Sequence, residues 1–245
     1  MAEAPVIQTF GDIADWADVA TNLIVEALTD GGRGKTGWAT FAGSGGSTPS
    51  PIYERLSRRR NVQDWQHTLV TLVDERYVPE PHPDSNAALL RRTLITREAA
   101  GAEFIPLYSS QITVDRAAAL ATRTLKAELD GQPFDAVLLG MGEDGHICSM
   151  FPDNPALKQL LAPNNPPLVL AVPKSRSTSA PQQDRLSMNI PWLASARRVV
   201  LALTGAKKRE VFEREVAGDP SVSPIAALVA ARAGDIEVLW TEAAR

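Results

Sequence analysis

Residues 38–59 read WATFAGSGGSTPSPIYERLSRR. The run at 38–42 is short and apolar and reads as a buried strand, and helical spacing begins again at 51–59. Between them lies Gly-Ser-Gly-Gly-Ser-Thr at 43–48, whose glycines permit the left-handed conformations that turn backbone N–H groups toward a common point, while Thr48-Pro49 opens the helix. Strand, glycine-rich turn and helix in that order are the unit of a parallel sheet flanked by helices. The unit recurs. Strands are expected at 68–73, 104–107, 136–139, 168–172, 185–190, 199–204 and 236–240, and helices at 13–28, 86–95, 206–216 and 223–229. Val114, Ala117, Ala118, Ala121, Leu125 and Leu129 recur at i, i+3, i+4 spacing and predict a helix with one apolar face over 114–129. Asp84 or Ser85 is placed to cap the helix at 86. Two proline-rich stretches, 78–84 and 162–167, read as loops. The expected fold is α/β, with a mostly parallel sheet covered by helices and a single domain spanning 1–245.

Composition narrows the function classes. With 245 residues, 44% hydrophobic and 22% charged, the chain has a globular composition rather than a disordered or fibrous one. The net charge of −4 offers no basic stripe for counterion release, so nucleic acid is not an expected partner and any anion site must be local. Cys148 is the single cysteine, which excludes an internal disulfide, and no Cys/His spacing suggests zinc. Residues 1–12 carry Glu3 and Asp12 without a basic or apolar leader pattern, and no apolar run approaches the roughly 20 residues of a membrane span. A cytoplasmic protein without membrane contact is expected.

Four unusual clusters each begin where a predicted strand ends: 43–48, Asp74-Glu75-Arg76, Gly-Met-Gly-Glu-Asp-Gly-His at 140–146, and Gly205-Ala206-Lys207-Lys208. Ligands of open parallel sheets bind at the carboxyl ends of the strands, so the four point to one site. The loop 43–48 lacks the lysine of a nucleotide-triphosphate loop, which favours a phosphate or sugar phosphate. Gly140-x-Gly142-x-x-Gly145 matches a dinucleotide fingerprint, but Pro152 and Pro155 cut the following helix short and the next strand ends on Val172-Pro173-Lys174 without the acidic ribose partner. His67 and His82 read as solvated or structural. His146 follows Asp144-Gly145 in a tight turn, where its imidazole can enter the crevice and a carboxylate can fix its tautomer.

Taken in order, GSGGSTP at 43–49, DERYV from 74 with Asp84-Ser85-Asn86, GMGEDGHICSMFP at 140–152, RLSMN at 185–189 and TGAKK at 204–208 resemble the 6-phosphogluconolactonase family. The resemblance covers roughly residues 40–215. It implies a Rossmann-like fold shared with glucosamine-6-phosphate deaminases, and an enzyme that hydrolyses 6-phosphoglucono-1,5-lactone to 6-phosphogluconate in the pentose phosphate pathway. Glu143, Ile147-Cys148 and Lys207 depart from the family pattern without removing a catalytic group. Phe151 stands where the deaminases carry a glutamate.

On this resemblance His146 is the expected general base, with Asp144 as its orienter and Asp74 as a further catalytic carboxylate. Gly45, Gly46 and Ser47 would hold the phosphate together with Arg76, Arg185 and Lys208, the last two notable only through the resemblance. No metal, cofactor or covalent nucleophile is expected; the partner is a small sugar-phosphate lactone, and the chain would act as a monomer or weak homo-oligomer. A sugar-phosphate isomerase or deaminase using Asp74 as base, and a sugar-phosphate-sensing module, are the competing classes.

Overall fold

The structure is a computed structural model that describes residues 4–34, 37–60, 64–174 and 182–242; residues 1–3 of the leader reading lie outside them. The chain runs β1 (Ile7–Phe10), α1 (Ile13–Gly32), β2 (Ala39–Gly43), α2 (Ser50–Leu56), β3 (Thr68–Leu72), β4 (Asp74–Arg76), α3 (Asn86–Thr93), β5 (Glu103–Phe104) and α4 (Val114–Leu129). It continues through β6 (Ala136–Leu139), α5 (Leu157–Leu161), β7 (Val169–Val172), β8 (Arg185–Met188), α6 (Ile190–Ser195), β9 (Arg198–Thr204), α7 (Ala206–Val216), α8 (Pro224–Ala231) and β10 (Glu237–Thr241).

Seven strands form one sheet in the order β1-β10-β9-β6-β2-β3-β5, and every pairing in it is parallel. β2, β3 and β6 are buried along their whole length rather than at alternate residues, as parallel strands covered on both sides must be. From β2 the chain builds outward through β3 to β5; from β6 it builds the other way through β9 to β10. The order therefore reverses between the neighbours β2 and β6, and a sheet opens its crevice at such a reversal.

The α/β class holds, but two expected members of the main sheet leave it. β7 and β8 form a second, antiparallel sheet with β4, in the order β4-β8-β7. Asp74-Glu75-Arg76, read from sequence as a cluster beginning where the strand at 68–73 ends, is itself a strand, because the chain continues from β3 through Val73 and finds its ladder on β8. The strand expected to reach 190 stops at Met188, where the Asn189 side chain accepts from Trp192 N–H at 3.3 Å and caps α6. The strand expected at 104–107 shrinks to two residues, Glu103–Phe104. Of the two caps considered for α3, Ser85 accepts from Ala88 N–H at 3.2 Å. Asp84 instead binds Gln183 Nε2.

Strand alternation divides β4 between two jobs. Asp74 and Arg76 share one face, and Glu75 points to the other, where it is fully buried. Its carboxylate accepts the N–H groups of Arg76, Asn86 and Ala87 at 2.7 Å each and the Ser85 hydroxyl at 3.2 Å. Burial raises its pKa despite those donors, which pull the other way. Glu75→Ala should lower unfolding free energy by about 3 kcal/mol or more, since each stranded buried donor costs roughly 1 to 3. Glu75→Gln, which keeps an acceptor oxygen, should lose less. Urea unfolding of the two variants checks the order.

Candidate active site

The ends of β9, β6, β2 and β3 are adjacent in the main sheet, so the four clusters read from sequence arrive side by side. They enclose a cleft of about 230 Å³ lined by the loop 44–48, Asp74, Arg76, Asn86, 140–142, His146, Cys148, Arg185 and Lys208. Eight of the nine residues singled out from sequence line it: Gly45, Gly46, Ser47, Asp74, Arg76, His146, Arg185 and Lys208. The ninth, Asp144, stands behind the imidazole.

The glycine loop is shaped by two neighbours. Gly46 has φ of +90°, which a side chain would strain, and a Cβ on Gly45 would collide with the Asn86 amide. Held this way, the N–H groups of Gly45, Gly46, Ser47 and Thr48 find no acceptor among the described residues. The helix that follows begins at Ser50 and is only seven residues long. The loop amides therefore turn more positive potential into the cleft than the end of this helix does, because seven residues sum few peptide dipoles.

At the end of β6 the chain turns back through Gly145, with φ of +87°, and Met141 bridges to Ile147. The turn puts Asp144 Oδ1 2.5 Å from His146 Nδ1. Gly142 is required, since a Cβ there would fall on both the imidazole and the Asp144 carboxylate. Burial pushes the Asp144 pKa up, but the hydrogen bonds and charge of His146 outweigh it, so the group lies below its ordinary value. An ionised Asp144 accepts from Nδ1–H, which leaves Nε2 as the lone-pair nitrogen.

Cations line the opposite wall. β4 and β8 pair antiparallel with Arg76 directly across from Arg185, an arrangement of like charges that disfavours itself unless an anion joins them. Arg76 Nη1 donates to the Asp84 carbonyl at 2.5 Å and to Asn86 Oδ1 at 2.8 Å. Arg185 is 2% exposed, and among the described residues its Nη1 reaches only Ser149 Oγ, at 3.4 Å. Arg76 Nε and Arg185 Nε and Nη2 are buried donors without an acceptor among the described residues. Burial lowers the Arg185 pKa, and Arg76 adds to that while Asp74 opposes it. Lys208, in the first turn of α7, donates to Thr48 Oγ1 at 3.2 Å; burial lowers its pKa and the charge of Glu143 partly restores it.

Asp74 accepts from Ser149 Oγ at 2.6 Å and, more weakly, from Asn86 Nδ2 at 3.5 Å. Burial first, then the charge of Asp74, hold the Cys148 thiol well above its usual pKa, so it stays protonated. His67 pairs with Asp64 at 2.9 Å, and His82 accepts from Asp84 N–H, both away from the cleft. Among the described residues no group of three or more His, Cys, Asp or Glu is placed to hold a metal ion. Sequence reading assigned no role to Asn86, Ser149 or Phe151, although all three lie inside motifs it quoted; single residues in a motif carry no periodicity to mark them.

The family model described as glucosamine-6-phosphate isomerases/6-phosphogluconolactonase matches residues 11–240. The chain belongs to this family. A 6-phosphogluconolactonase of Caulobacter vibrioides is 38% identical over 236 residues, covering 96% of this chain and 97% of that protein. One from Rhizobium meliloti is 38% identical over 228 residues, covering 89% and 94%. Among solved structures, a 6-phosphogluconolactonase from Shewanella baltica superposes with a TM-score of 0.86 at 30% identity, over 98% of this chain and 99% of that one. The matched range, residues 11–240, contains every residue of the cleft built above.

A cation with a depressed pKa gives the site a pH signature. Lys208 is charged below its lowered pKa and neutral above it, and a phosphate dianion favours the charged form. Affinity for 6-phosphogluconate should therefore be full on the acid side of that pKa and fall as pH rises through it. Calorimetric titration across the alkaline range measures this, and Lys208→Arg, which stays protonated, should flatten the curve.

Proposed function

We propose that this chain hydrolyses 6-phosphoglucono-1,5-lactone to 6-phosphogluconate, with His146 as general base and the glycine loop and three cations as the phosphate site. The observation that carries the reading is Arg76 facing Arg185 across a two-strand ladder, with buried donors left over, in the same cleft as the His146–Asp144 pair. A buried guanidinium, Arg185, beside a half-buried one, Arg76, calls for an anion. The named relatives supply the lactone.

His146 Nε2 takes a proton from water as its oxygen attacks C1 of the lactone, and Asp144 holds Nδ1–H so that the ring keeps this orientation. Negative charge then builds on the carbonyl oxygen within a cleft walled by cations, whose fixed positions need no rearrangement to stabilise it. The intermediate collapses by breaking the bond from C1 to the ring oxygen, which takes the proton from Nε2. Water is consumed, the ring opens, and the product acid ionises. Asp74, tied to Ser149, contributes its charge beside Arg185 and is the second carboxylate to test. Residues 1–245 act as one domain in the cytoplasm, as a monomer or weak homo-oligomer, on a small molecule rather than on nucleic acid or a membrane; no helix among the described residues is long and apolar enough to cross one.

Two measurements test the reading. In an assay corrected for spontaneous hydrolysis, the phosphorylated lactone should be the far better substrate, and equal kcat/KM for unphosphorylated gluconolactone would remove the phosphate site. His146→Ala should lose roughly 10²- to 10⁴-fold in kcat, the range for an acid–base group, while affinity for 6-phosphogluconate persists. Near-normal turnover by a folded His146→Ala protein would move the role to Asp74.

A further inference from the structure

Phe151 is 1% exposed and touches both halves of the site. Its ring centroid lies 4.2 Å from that of His146, with the planes 40° apart. The Arg185 guanidinium carbon lies 4.7 Å from the same phenyl centroid. The backbone makes this possible at Cys148, whose φ of +52° turns the chain so that Ser149 and Phe151 both reach Arg185.

A buried guanidinium needs something to offset its lost hydration. A carboxylate in direct contact would do so but would occupy its N–H groups with forked hydrogen bonds. An aromatic face attracts the cation through the ring's electron density and takes no donor. At Arg185 the second arrangement is found: among the described residues Nη1 has one long contact to Ser149, while Nε and Nη2 have no acceptor. Asp74, the neighbouring carboxylate, accepts its 2.6 Å hydrogen bond from Ser149 rather than from the guanidinium. The imidazole is treated alike. Asp144 fixes Nδ1, the phenyl ring bears on the imidazole ring, and neither contact uses Nε2.

We propose that Phe151 is a positioning residue for this reaction: its ring holds Arg185 with its donors available to the substrate phosphate and fixes His146 at a set distance from that cation. The proposal rests on the lactonase reading and adds to it. One rigid ring thereby couples the site that binds the phosphate to the base that activates water. The separation between the two ends of the substrate is then set by a side chain that need not touch it.

The test replaces Phe151 with mono-, di- and trifluorinated phenylalanine, which withdraws electron density from the ring face with little change of shape. KM for 6-phosphogluconolactone should climb with each fluorine, to roughly 3- to 30-fold at the last, the span expected for a desolvated cation–π contact. The melting temperature should barely move, KM for unphosphorylated gluconolactone should stay level, and the trend should vanish in an Arg185→Ala background. A flat KM across the series, or a trend that survives Arg185→Ala, overturns the proposal. For the second contact, Phe151→Met fills the space without a ring and should cost roughly 10- to 100-fold in kcat through misplacement of the base, with Phe151→Tyr restoring most of it. An unchanged kcat in Phe151→Met, or a Tyr variant no better than Met, overturns that half. If Phe151→Met does not fold, the fluorinated series carries both measurements, kcat included. Should the parent chain show no hydrolysis above the spontaneous rate, the lactonase reading is what has failed. The series is then read on the Kd of inorganic phosphate, which must rise with fluorine number for the Arg185 contact to stand.

Discussion

The carboxylate of Glu75 sits where water does not reach and collects three backbone N–H groups and a hydroxyl. Three of those four donors belong to the segment that starts α3, so the carboxylate welds the edge of β4 to the beginning of that helix. Once α3 is fixed, so is Asn86, and Asn86 reaches three parts of the cleft. Its amide nitrogen donates to the Asp74 carbonyl at 2.9 Å, its oxygen accepts from Arg76 at 2.8 Å, and its side chain lies against Gly45. A buried carboxylate is costly to hold, which its raised pKa records. Its placement here is offset by the donors it satisfies, and through them it locates the cation wall relative to the glycine loop.

The site also depends on two sheet geometries meeting. The parallel sheet delivers the glycine loop from β2 and the histidine turn from β6 at the point where strand order reverses, and it delivers Lys208 after β9. Parallel strands run in one direction and present loops at this end. Setting two arginines face to face falls to strands outside this sheet. The small antiparallel sheet does that, because register pairs Arg76 with Arg185 and Asp74 with Ser187 on one face while Glu75 turns to the other. Only one residue, Val73, separates β3 of the first sheet from β4 of the second. That short link brings the cation wall against the carboxyl ends of the main strands.

What the sequence made legible follows the strength of its physical signals. The helix at Val114–Leu129, with an unbroken apolar face, and the strand at Ala136–Leu139, a continuous apolar run, have the bounds expected of them. β1 was not foreseen because Ile7–Phe10 is a half-exposed edge strand in which only the end residues turn inward. β4 was not foreseen because Asp-Glu-Arg has no strand propensity; tertiary pairing imposes the conformation. For the same reason β7 and β8 were assigned to the main sheet, since an apolar run says that a strand is buried but not which partner it has. Glycines and the histidine turn could be located from their backbone demands, whereas the partner of a guanidinium depends on residues far apart in the chain. Arg185 and Phe151 lie 34 positions apart, and no spacing rule joins them.

The electrostatics of the cleft explain why stability and affinity pull against each other in it. The chain carries a net charge of −4, yet it gathers Arg76, Arg185 and Lys208 around one cleft and surrounds two of them closely enough to depress their pKa values. Each depressed pKa means that the fold pays to keep that group charged. A phosphate dianion reverses all of these costs together: it gives the buried donors an acceptor, screens Arg76 from Arg185 and favours protonated Lys208. On the proposed reading, the same desolvation that weakens the fold favours contact with the substrate phosphate, since a cation already stripped of water has little hydration left to lose on binding. The anchors that tolerate this tension, Glu75 beneath β4 and the Phe151 ring beneath Arg185, act without occupying the cations' remaining donors. Replacing either by a group that paired with the arginines would relieve the tension inside the chain, and it would take from the substrate the interaction that the tension provides.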